Sequence, residues 1–119
     1  MKIKTSELSG AQLDWAVAEC EGLLAFGYET DGERLWTTLS TGETELFAPD
    51  INWAQGGPII ERERIRLDQM PYPKELWIAG HDSSHDMVSG PTPLVAAMRC
   101  YVASKLGDEI EIPEEIKNV

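Results

Sequence analysis

Two short stretches hold the residue types that could do chemistry. The first is His81-Asp82-Ser83-Ser84-His85-Asp86, which contains both histidines of the chain. His81, Asp82, His85 and Asp86 offer the nitrogen and oxygen donors that zinc or manganese accepts. On a helix, the His81/His85 spacing would put both rings on one face. The stretch reads instead as a polar loop between strands, so a solvated turn explains it more simply. No second ligand block completes the set that zinc sites use. Serines 83 and 84 lie in no GxSxG elbow, and a Ser-His-Asp triad is assembled from distant segments rather than crowded into one loop. No catalytic residue is assigned, and a metal-dependent hydrolase is the last of three functional readings.

The second stretch is WAQGGPIIER, beginning at Trp53. Trp53 can stack on a flat ring, and Gln55 can hydrogen-bond its edge. Gly56 and Gly57 permit close backbone approach, and free amides at a helix start can hold an anion. Asp50 stands just before them. A second helix start at Thr92, with Arg99 further along, would complete a pocket if the two starts are neighbours. Asp50, Trp53, Gln55, Gly56, Gly57, Thr92 and Arg99 are therefore the candidate ligand-binding set, with a nucleotide-like small molecule as the ligand. The pattern is neither a P-loop nor a dinucleotide fingerprint, since no Gly-Lys-Ser/Thr follows and GxGxxG is absent. A structural turn, with Trp53 packed on the core, is the simpler explanation, because a lone Gly-Gly is weak support. No cofactor is implied.

The elements that must position these residues can be read from periodicity. Ser9 and Gln12 have the spacing of a capping box. Leu13, Val17, Cys20 and Leu24 then mark one helical face, with Ala11, Trp15 and Ala18 as a weaker second stripe. Gly22 ends that helix. Asp31-Gly32 and Thr41-Gly42 read as turns, and the segments 35–38 and 44–47 as a hairpin inserted at 23–49. Asp50 or Asn52 can cap a helix through WAQGGPIIERE, or the helix can start at Pro58 after a loop. Arg62, Arg64 and Arg66 alternate with Glu63, Ile65 and Leu67 as a strand would. The segments 76–79 and 86–89 are further strands. Thr92 caps the last helix, Pro93 opens it, and Gly107 closes it. The expectation is a single α+β domain over 1–107, with helices packed on a small antiparallel sheet. Residues 108–119 form an acidic tail or a short docked segment.

The 119 residues include 21 acidic and 10 basic side chains, a formal net charge of −11. That excess argues against direct nucleic-acid binding, which needs clustered Lys and Arg. No apolar run is long enough for a membrane span, and no signal peptide is visible, so the expected place is the cytoplasm. Cys20 and Cys100 lie among apolar residues and read as reduced core thiols, without a CxxC pair.

Three blocks, KTSELSGAQLDWAVAECEG, DINWAQGGPIIERE and GPTPLVAAMRCYVASKLGDEIEIPEE, resemble the NinX-type proteins of lambda-like bacteriophages. The resemblance covers nearly the whole chain and is weakest at 23–47 and 81–86. It implies a small protein expressed from a phage or prophage region downstream of early replication genes. It also implies kinship with small phage proteins described as α-β-α sandwiches, and no established biochemical activity. Absence of a complete catalytic set makes the leading expectation a non-enzymatic accessory protein that binds a host or phage protein. An exposed apolar patch at Trp15 or Trp36 would serve that role, and the second apolar stripe of the first helix would suit a homodimer.

Overall fold

The computed structural model describes residues 1–72, 75–81 and 87–116. Strand β1 (Lys2–Lys4) leads through a 3-10 turn into α1 (Gly10–Glu21). A meander of β2 (Tyr28–Thr30), β3 (Leu35–Thr38) and β4 (Thr44–Leu46) follows, then α2 (Trp53–Glu63). Strands β5 (Ile65–Gln69), β6 (Trp77–His81) and β7 (Val88–Gly90) precede α3 (Pro93–Leu106) and β8 (Glu109–Glu111). The architecture is α+β, with three helices and three small antiparallel sheets: β1-β8, β2-β3-β4 and β5-β6-β7.

Helix α3 is the hub. Thr92 caps it, its hydroxyl oxygen accepting from the Val95 amide at 3.1 Å, and Pro93 opens it as the sequence suggested. From Leu94 to Val102 every residue except Arg99 is buried. One face lies on β5-β6-β7, where Leu67 opposes Ala79 and Ala79 opposes Val88. The sheet comes so close that a Cβ on Gly90 would sit 2.6 Å from the Ala96 nitrogen. The small residues Ala96 and Ala97, both fully buried, make room for it. Helices α1 and α2 cover the rest of α3.

Both apolar stripes of α1 are used inside the chain. Leu13 and Val17 are fully buried on one, Ala11 and Ala18 are buried on the other, and Trp15 is half-buried. Ser9 holds the N-cap position without a side-chain cap bond, and Gln12 is buried, its amide donating to the Ile116 carbonyl at 3.2 Å. Gln12 thus anchors the C-terminal segment instead of closing a capping box.

Two further expectations need correction. The hairpin at 23–49 carries an additional strand, because Asp31 folds Tyr28–Thr30 back onto β3 by accepting from the Glu33 and Arg34 amides at 2.9 and 2.8 Å. The arginine row is not one strand. Arg62 lies in the last turn of α2, Arg64 caps it in the left-handed conformation (φ 55°), and β5 begins only at Ile65. Arg62 is drawn there by Glu21, whose carboxylate it grips with two nitrogens at 3.1 and 2.7 Å, and by the negative end of the helix. The Tyr101 hydroxyl donates to the same carboxylate, tying α1, α2 and α3 at one point.

The acidic segment after α3 is docked. Ile3 faces Ile110 across the β1-β8 pair, and Ile112 and Ile116 are buried.

Helix α2 includes all of WAQGGPIIERE, with Asn52 as its cap accepting from the Ala54 amide at 2.9 Å. Pro58 lies within it and forfeits one helical hydrogen bond. The two glycines before it differ sharply. A Cβ on Gly56 would meet Leu94 Cδ2 and the Pro49 carbonyl oxygen at 2.6 Å each, whereas one on Gly57 would meet nothing nearer than Trp53 at 4.0 Å. Gly56→Ala should therefore destabilise the fold by about 1–3 kcal/mol through overpacking. Gly57→Ala should stabilise it by about 0.5–1 kcal/mol through helix propensity. Urea unfolding of both variants checks the contrast, and equal effects would contradict the packing.

Candidate functional site

The two helix starts that the sequence left unconnected are neighbours. Gly56 in α2 packs on Leu94, in the first turn of α3 beside Thr92. What the structure brings together, however, is already engaged. Gln55 spends both ends of its amide on the backbone, accepting from the Ala48 nitrogen at 2.7 Å and donating to the Leu46 carbonyl at 2.8 Å. The Thr92 hydroxyl is the α3 cap. Arg99 donates to the Leu8 carbonyl at 2.7 Å and the Ser89 carbonyl at 3.0 Å. These side chains would have to leave structural partners to hold a ligand.

Asp50 has a partner that the sequence did not reveal. Asp14, in the middle of α1, is fully buried, and Asp50 is nearly so. The Asp50 amide donates to Asp14 Oδ1 at 3.3 Å, which brings the two carboxyl groups together. Burial is the chief cause that pushes the Asp14 carboxyl from 3.8 up to about 10, and the neighbouring Asp50 carboxyl adds to it. Asp14 is thus uncharged at neutral pH. Oδ2 of Asp14 and Oδ1 of Asp50 have no protein partner. An acid on an otherwise apolar helical face is the only signal the sequence carried.

The pair fixes the turn that precedes α2. Within that turn the Ile51 and Asn52 amides both donate to the Ala48 carbonyl, at 3.1 and 2.8 Å. The turn leaves Ile51 and Trp53 58% and 55% exposed, with Leu46 also exposed on the strand that Gln55 ties to it. Trp15 and Trp36 are half-buried, so the expected apolar patch is not built from them. Trp53 stands outside the core.

The histidine stretch divides. His81 ends β6, while Asp82, His85 and Asp86 lie outside the described residues. His81 Nδ1 is 3.7 Å from the Cys100 sulfur. Both line a cleft of about 720 Å³ together with Lys4, Ser104, Asp108 and Glu109. Burial pushes the Cys100 thiol up to about 11, so it rests protonated, as does Cys20, raised likewise by burial. A protonated thiol under an acidic rim is a poor nucleophile.

The sequence matches the model of a family described as Bacteriophage P22, NinX, over residues 4–105. The chain belongs to that family. The match runs from the end of β1 to the last turn of α3, so it spans the three helices and the Trp53 turn, and β8 falls beyond it. Membership makes this a phage accessory protein. No curated protein matches the chain. Among the described residues no helix is long and apolar enough to cross a membrane.

The acid pair makes stability depend on pH. A carboxyl whose folded value is raised binds its proton more tightly in the folded state, so its contribution is complete below 3.8 and is lost as pH rises toward about 10. Between about pH 6 and about pH 8.5 the wild type should lose stability. Asp14→Asn, which keeps a donor for Asp50 without a titrating proton, should flatten that slope. Thermal melts across the range decide it, and parallel slopes would contradict the assignment.

Proposed function

We propose that this NinX-family chain is a non-enzymatic accessory protein that docks on a basic face of a host or phage protein. The observation that carries the reading is Trp53, more than half exposed at the start of α2, where Gln55 ties the helix to the residues before it and Asp14 holds the preceding turn to α1. A large aromatic side chain held out from a fixed backbone is what an interface anchor looks like, since little conformational entropy remains to be lost on binding. Ile51 and Leu46 extend its apolar contact. The exposed Glu43 and Glu45 precede Leu46, and the net charge of −11 surrounds the whole. Such a field steers a basic partner and repels acidic ones. The fold supports this role over small-molecule binding, because Gln55, Thr92 and Arg99 are committed to backbone groups.

A photoreactive residue at position 51, in phage-infected cells, tests the surface. It should cross-link to one basic protein. Trp53→Ala should abolish that product, and with purified partner should weaken binding at least about tenfold. The variant should change stability by no more than about 0.5 kcal/mol, as befits a surface site. Added salt should weaken the wild-type complex. Absence of a specific product, or the same product from Trp53→Ala, would overturn the proposal.

A further inference from the structure

A cleft lies between α3, the end of β6 and the β1-β8 pair, lined by Cys100 and His81. We propose that Cys100 and His81 bind a soft monovalent cation, monovalent copper, with the remaining coordination position open to the cleft. The ligand atoms are placed for it. Bonds of about 2.3 Å from a metal to thiolate and about 2.0 Å to imidazole, at a trigonal to tetrahedral angle, set sulfur and nitrogen about 3.5–3.7 Å apart. Cys100 Sγ and His81 Nδ1 are 3.7 Å apart. The two are held by different elements, His81 by the end of β6 and Cys100 by the middle of α3, whose contact is among the most extensive in the fold. The separation is therefore set by core packing.

The surroundings select the class of ligand. Among the described residues that line the cleft, Asp108 and Glu109 stand against one cationic side chain, Lys4, so the approach favours a cation. A thiolate and an imidazole are soft and borderline donors, which favour copper(I) over magnesium or calcium. Zinc needs a fuller set, and among the described residues no third His, Cys, Asp or Glu completes a metal-binding group. Copper(I) accepts trigonal coordination, with a solvent or small-molecule donor from the cleft as its third partner. Binding displaces the thiol proton to solvent, with no change of oxidation state.

Copper(I), supplied anaerobically against a chromophoric chelator, provides the test. Wild type and Cys20→Ser should each take up one equivalent. Cys100→Ser should lose it, and His81→Ala should bind at least about tenfold more weakly, one lost ligand bond being worth that much. X-ray absorption on the loaded wild type should show a mixed sulfur and nitrogen shell, a readout that does not depend on any variant folding. No competition with the chelator, uptake unchanged in Cys100→Ser, or a shell without sulfur would overturn the assignment.

Discussion

The buried contact between Asp14, uncharged at neutral pH, and Asp50 is the constraint on which the Trp53 surface depends. Leaving a charged carboxylate in the core between α1 and the 47–52 turn would cost several kcal/mol. Keeping a proton on Asp14 removes that cost and its repulsion from Asp50, and leaves Oδ1 to accept from the Asp50 amide. The bond fastens α1 to the turn, and the turn sets where α2 begins. Once α2 begins at Trp53, Gly56 falls against Leu94, and the first turns of α2 and α3 lock together. Trp53 is then held outside the core by everything beneath it.

The other end of the molecule is organised by charge in the usual sense. Arg62 bridges Glu21 and Glu63, and Tyr101 joins from α3. These contacts hold the C-terminal ends of α1 and α2 to α3, while Gly56 packs the start of α2 on the start of α3 and Asp14 holds the middle of α1 to the turn before α2. Between the two clamps the core is apolar and small-residue packed. That division explains how so acidic a chain folds: much of the excess charge is on exposed strands and turns, and the one acid fully buried in α1 is neutral.

Much of the fold was legible in the sequence because local rules and tertiary packing agree there. Thr92-Pro93 starts α3 by capping chemistry alone, and the apolar run at 77–79 forms the central strand β6. The three family blocks fixed the kinship. Where the reading departed, a long-range partner decided. Gln12 has the capping-box spacing, yet Ile116 claims its amide. Arg62 has strand spacing, yet Glu21 claims its guanidinium. Of the candidate site, Trp53 and the Gly-Gly approach were visible, but the work of Gln55 and Arg99 was not, because their acceptors are backbone carbonyls that no side-chain pattern encodes. Asp14 and Cys100 were hidden for the same reason: each matters through a residue far away in sequence, Asp50 and His81.

The carboxyl carbon shift of Asp14, followed by NMR as pH rises, tests the central claim most directly. The account predicts a carboxyl that stays protonated through neutral pH, with the Trp53 indole signal unchanged while it does so. A midpoint near the ordinary 3.8, with the fold and the Trp53 signal intact, would contradict it.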